Sequence, residues 1–242
     1  MKLDDQLLNR FIHTFYGHGN FAGKYWFVGM EEGGGNDLNE VSNRLSVWQK
    51  LKEQELVDNA DFHLGLDEIP RYFSDPVKLQ RTWMQLIRMV LFAEGKSANL
   101  NDLKAFQRDQ LGRKDQNTCL LELLPLCSPD SSKWHYAEWS DLPFLKNRDS
   151  YRNYCREWRC SHLRSLIETH QPETVVFYST GYLKWWQEVT GPAVIFQEDN
   201  GVRYGVFGKT QFLITHHPAT VGVTNEYFEK AGLKIQSYRQ AK

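Results

Sequence analysis

Short apolar runs that stop abruptly at glycine, proline or charge, alternating with stretches of helical periodicity, constrain this chain more than any other feature. Residues 25–28 (Tyr-Trp-Phe-Val) end at Gly29 and pass into Met30-Glu31-Glu32-Gly33-Gly34-Gly35. Residues 118–124, 174–178 and 212–215 repeat the pattern, the last running into His216-His217-Pro218-Ala219. Runs this rich in aromatic and β-branched residues read as strands buried on both faces. Between them, residues 39–52, 78–92, 102–111 and 151–170 carry apolar residues at helical spacing. In 78–92, Leu79, Trp83, Leu86, Ile87, Val90 and Leu91 share one face. Further helices are expected over 4–14, 181–188 and 225–231, and a hairpin over 194–196 and 202–207 turning at Asp199-Asn200-Gly201. The alternation predicts an α/β fold: a three-layer α/β/α sandwich around a central, mainly parallel four-stranded sheet. Residues 60–75 read as an irregular loop. Residues 131–149, rich in tryptophan, proline and charge, read as a long functional loop or a subdomain edge.

A chain of 242 residues can bury a full core, and 1–242 reads as a single domain. No apolar stretch approaches the roughly 18 residues that cross a membrane, and the first residues lack the pattern of a secretory signal. Cys119, Cys127, Cys155 and Cys160 have no zinc-like pairing and read as reduced thiols, so a cytoplasmic protein is expected. A net charge of −1 means that any nucleic-acid surface must be local. Lys133, Arg148, Arg152, Arg156 and Arg159 could form such a patch, or a solvated helix face. The glycine run lacks both the Gly-Lys-Ser/Thr of a phosphate loop and the dinucleotide-binding spacing, so neither cofactor is implied.

Loops just past the carboxyl ends of parallel strands line the ligand crevice, which singles out three segments. Glu31 and Glu32 stand between a strand and glycines that let a ligand approach closely. They could orient a water or stabilise a cation, or be solvated turn residues. His216 and His217 precede Pro218, which biases His217 toward an extended backbone. Neighbouring strand side chains point to opposite faces, which argues against joint metal ligation by the pair, and one at most faces the crevice. Glu122 interrupts an apolar strand, where a carboxylate is costly unless paired or protonated.

Taken in order, Gly29-Met30-Glu31-Glu32-Gly33, Leu121-Glu122-Leu123-Leu124-Pro125 and His217-Pro218-Ala219 resemble the motifs of the uracil-DNA glycosylase superfamily. The nearest pattern is that of the single-strand-selective monofunctional enzymes, with Gly-Met-Asn-Pro-Gly first and His-Pro-Ser last. The resemblance implies a DNA glycosylase that hydrolyses the N-glycosidic bond of a flipped damaged base, uracil or another deaminated base, in single- or double-stranded DNA. It implies DNA repair by base excision, with no metal, no cofactor, no membrane and no obligate protein partner. Carried over, Glu31 positions the attacking water and His217 stabilises the departing base. Met30, Glu32, Gly33, Glu122 and His216 surround the base. Phe62 stacks on it, with Tyr72 or Phe73 as substitutes, and Val221 wedges into the stack.

The departures from the pattern bear on specificity. Glu122 stands where the family keeps an asparagine that both donates and accepts. An ionised glutamate only accepts, so it suits a base with an exocyclic amine. Glu32 replaces a proline and Ala219 a serine. These changes also suit a catalytically silent module that binds a nucleic acid, a nucleotide or a nucleobase. The near-neutral charge suits a hydrolase of free nucleosides, and a structural protein would leave Glu31 and His217 without a role.

Overall fold

The computed structural model describes residues 2–130 and 132–240; Met1, Ser131, Ala241 and Lys242 lie outside the described residues. The chain runs α1 (Asp5–Thr14), β1 (Gly17–Gly19), β2 (Tyr25–Gly29), α2 (Leu38–Lys50), β3 (Leu56–Val57), α3 (Asn59–Gly65), α4 (Ile69–Tyr72), α5 (Arg81–Ala93) and α6 (Leu100–Asp109). It continues through β4 (Thr118–Glu122), α7 (Tyr136–Trp139), α8 (Arg148–His170), β5 (Thr174–Tyr178), α9 (Leu183–Thr190), β6 (Gln197–Asp199), β7 (Val202–Phe207), β8 (Thr210–Thr215) and α10 (Asn225–Gln240).

All strands join one mixed sheet in the order β3-β1-β4-β2-β5-β8-β7-β6. At its centre β4, β2, β5 and β8 run parallel. The four-stranded sheet expected from sequence is thus too small. β1 pairs antiparallel with β4 and parallel with β3, while β7 and β6 add an antiparallel edge beyond β8. The reason is compositional: β1 reads Gly-His-Gly and β3 is two residues long, so neither registers as an apolar run. The hairpin turns at Asn200–Gly201, but its first arm is the exposed Gln197–Asp199, not 194–196.

Helices cover both faces. Trp26, Val28, Val175, Phe177, Phe212 and Ile214 pack with side chains of α1, α2, α8 and α9. Phe27, Leu120, Val176 and Leu213 pack with α5, α6 and α10. Alternate residues of each central strand therefore serve opposite layers, as expected for a parallel sheet buried on both sides. Residues 60–75 are not an irregular loop. Asp58 caps α3 through the Ala60 and Asp61 amides, and α4 follows within the same stretch.

Arg159 of α8 is fully buried. It donates to the main-chain oxygens of Leu123 (2.7 Å), Glu122 (2.9 Å), Phe15 (3.0 Å) and Ile12 (3.2 Å), and its guanidinium lies 3.6 Å from the Tyr16 ring centroid. Those carbonyls belong to the end of α1 and the end of β4, where neither helix nor ladder satisfies them. Replacing Arg159 with Met strands them, and each hydrogen bond to a charged group contributes about 1.5–3 kcal/mol. Arg159→Met is expected to lower unfolding stability by at least about 3 kcal/mol, read as a shift in urea midpoint.

Candidate functional site

The sheet order reverses beside β2: the chain goes to β4 on one side, then crosses to β5 on the other. Such switch points open a crevice at the carboxyl ends of the strands. Here the crevice has a volume of about 390 Å³. Glu31, Glu32, Gly33 and Gly34 reach it from the loop after β2, Glu122 from the end of β4, Tyr178 from the end of β5 and His217 from beyond β8. His18, Arg44 and His63 line one wall, and Tyr72 and Trp83 supply aromatic surface with ring centroids 5.4 Å apart.

At the crevice floor, the Tyr178 hydroxyl donates to Glu122 Oε1 at 2.6 Å. Glu122 Oε2 is shielded from solvent and has no partner among the described residues. Burial, then the charge of Glu32, raises the Glu122 carboxyl well above the usual range; the Tyr178 bond opposes this, and Glu31 adds to it. The pair forms only because residue 29 is glycine. A Cβ there would collide with both Glu122 Oε2 and the Tyr178 hydroxyl. The Tyr178 ring lies 5.9 Å from that of His217. His217 Nδ1 accepts the Ala219 amide at 3.1 Å, and burial lowers its pKa. The neutral ring therefore carries its proton on Nε2 as a donor.

The two adjacent glutamates diverge. Glu31 Oε1 pairs with Arg148 and, at 3.5 Å, with Arg152, while its Oε2 is buried without a partner among the described residues. Glu32 accepts from His18 Nε2 at 3.1 Å and from Arg44 at 2.7 Å. Burial disfavours its charge, yet the His18 hydrogen bond and the Arg44 charge win and hold the carboxyl well below the usual range. Gly34 and Gly35 adopt φ of +119° and +71°, which turns the loop so that Glu40 can receive the Gly35 and Asn36 amides at 2.9 and 3.0 Å.

Other sequence candidates lie elsewhere. Met30 packs in the core beneath the loop. Phe62 is fully buried, 6.0 Å from Phe15 and 5.1 Å from His18, and does not line the crevice; Tyr72 does. His216 turns away toward Tyr227 and Thr180. Val221 is 95% exposed in the loop beyond His217. The expected basic patch is largely consumed internally. Arg148 and Arg152 hold Glu31, Arg156 holds Glu188 at 2.7 Å, Lys133 lies 3.7 Å from Asp130, and Arg159 is buried. Trp134 and Trp139 of the 131–149 loop cover the core, and Trp134 Nε1 donates to Leu145 O at 2.7 Å. Sequence reading missed Tyr178, His18, Arg44 and His63. Tyr178 could have been found as the last residue of a central strand.

Among the described residues no group of three or more His, Cys, Asp and Glu is placed to hold a metal ion, and no helix is long and apolar enough to cross a membrane. The four cysteines are free and buried. The Glu122 environment has a measurable consequence. The unfolded chain ionises this group at its ordinary value of 4.5 while the folded chain keeps the proton, so stability falls as pH rises between the two values. Glu122→Gln removes that contribution, and its urea midpoint should decline less from pH 5 to pH 8 than that of the unsubstituted protein. No protein-family model matches the chain and no curated protein matches it significantly, so a functional reading must stand on the crevice itself.

Proposed function

We propose that the crevice binds a nucleobase extruded from DNA and that the protein hydrolyses its N-glycosidic bond. The observation that carries this reading is the convergence of Glu31, Glu122 and His217 from the ends of three strands onto one crevice with aromatic surface at its side. A base enters beside Tyr72 and Trp83. The C1′–N bond breaks with its electron pair going to the base, and His217 Nε2–H donates a hydrogen bond to the anion that forms. Glu31, held by Arg148 and lining the crevice, stabilises the cationic sugar and aligns a water. The water oxygen bonds to C1′, and the proton it loses offsets the charge on the leaving base. Val221, exposed in the loop after His217, suits a residue that fills the gap left by the base.

A second reading is favoured by the anchoring of Glu31. A carboxylate held by two arginines also suits a module of this fold that holds a base without cleaving it.

Base release from single- and double-stranded oligonucleotides carrying uracil, hypoxanthine, xanthine or alkylated bases, with mononucleosides alongside, separates the readings. Glu31→Gln and His217→Ala should each lower the rate by about 10² or more, as expected for loss of a preorganised charge stabiliser. Release unaffected by both substitutions would sink the mechanism. Binding without release would leave the module, and release from mononucleosides alone would make the substrate a free nucleoside.

A further inference from the structure

Attack by water releases a proton, and most groups lining the crevice are poorly placed to take it. Glu31 Oε1 is engaged by Arg148 and Arg152, and its Oε2 is enclosed. Glu32 is held charged between His18 and Arg44. Glu40 receives the amides of Gly35 and Asn36. Burial, then the charge of Glu32, keeps the proton on Glu122, contrary to the ionised glutamate expected from sequence. The Tyr178 hydroxyl is spent on that carboxyl. His217 Nδ1 accepts the Ala219 amide, which leaves Nε2 as a donor. His18 Nε2 donates to Glu32, and its Nδ1 is enclosed.

His63 differs from all of these. It reaches the crevice from α3, with its side chain 10% exposed. Its Nδ1 lies 2.8 Å from the main-chain oxygen of Asn59, one turn earlier in the same helix. A carbonyl only accepts, so in the neutral ring Nδ1 carries the proton and Nε2 keeps its lone pair. Nε2 stands 3.4 Å from Glu68 Oε2. The ring lies 5.8 Å from that of Tyr72 and 5.2 Å from that of Trp83, the aromatic surface beside which the base enters. Burial, then His18, lowers the His63 pKa to about 4; the Asn59 hydrogen bond and Glu32 oppose this, and Arg44 adds to it. The ring is therefore neutral near pH 7. A weak base suffices here, because water already bonded to C1′ is an oxonium, far more acidic than an imidazolium.

We propose that His63 is a further catalytic residue, its Nε2 accepting the proton lost by the water that attacks C1′. The inference rests on the glycosylase-like reading above and assigns its proton acceptor. The C1′–N electron pair leaves with the base, and a lone pair of the water forms the C1′–O bond. One O–H electron pair then stays on that oxygen while its proton passes to Nε2. The imidazolium so formed faces Glu68 and returns the proton to the departing base. Glu31 aligns the water and offsets the sugar cation, so alignment and proton removal fall to different side chains.

Single-turnover base release from oligonucleotides carrying uracil, hypoxanthine, xanthine or alkylated bases tests it. His63→Asn keeps a donor for the Asn59 oxygen and removes Nε2. It is expected to lower the rate by about 10² or more while oligonucleotide affinity stays unchanged. His63→Ala should lose as much and recover about tenfold or more when imidazole is added, since imidazole fits the vacated space and restores a nitrogen base. Imidazole should leave the unsubstituted protein unaltered. A purely structural or binding role predicts weaker affinity and no rescue. Should His63→Ala fail to fold, by its urea midpoint, the split between rate and affinity in His63→Asn decides. Full-rate release by His63→Asn, or a folded His63→Ala that imidazole does not restore, overturns this inference while release by the unsubstituted protein still supports the broader reading. No release from any oligonucleotide by the unsubstituted protein overturns both.

Discussion

One buried cation sets the frame of the crevice. Arg159 enters from α8 and ties the carbonyls at the end of α1 to those at the end of β4. A charge without access to water is tolerable only when it is well hydrogen-bonded, and here four main-chain oxygens accept from it. Carbonyl dipoles satisfy the guanidinium without neutralising it elsewhere, so Arg159 fixes where Glu122 sits without becoming its counterion. Had the same arginine reached the carboxyl group, the floor would be an ion pair.

The site is then defined by how differently it treats its carboxylates. Glu32, between His18 and Arg44, is driven toward the charged form; Glu122, paired across the ladder with Gly29 at the start of the same loop, is driven toward the neutral one. The first acts on the second, because the charge on Glu32 is among the causes that raise Glu122. Environments that push two acids apart in this way let one fold hold a charged carboxylate and a neutral acid at the same pH. The pairing of Glu32 with His18 and Arg44 therefore reaches Glu122 through space, with no contact between them required.

The central strands and the longer helices were legible because burial on both faces writes itself as uninterrupted apolar runs, and amphipathic packing as a 3.6-residue repeat. The convergence of the loops holding Glu31, Glu122 and His217 followed from strand order alone. What could not be read was pairing. β1 and β3 have too few side chains to signal a strand, and α3 hides its period among aromatic residues that bury inward. Lys133, Arg148, Arg152, Arg156 and Arg159 look alike in sequence, yet they end up buried, ion-paired or exposed according to which carboxylate or carbonyl the fold delivers. The same holds for Glu122, whose protonation depends on Glu31 and Glu32, about ninety positions earlier in the chain. Local composition carries no record of such meetings.

The tryptophan-rich segment is joined to the site through Glu31. Arg148, at the start of α8, donates to Glu31 and also to Ser128 Oγ and the main-chain oxygens of Asp130 (2.7 Å) and Lys133 (2.8 Å), with its guanidinium 5.4 Å from the Trp134 ring centroid. One side chain thus holds both the crevice carboxylate and the turn that opens the 131–149 loop. Trp134 is in turn fixed by its bond to Leu145 O and by stacking on Tyr151, 5.0 Å away. Because Arg148 is nearly buried, it cannot rotate to serve a phosphate without abandoning those carbonyls, and the segment acts as a rigid support that orients Glu31.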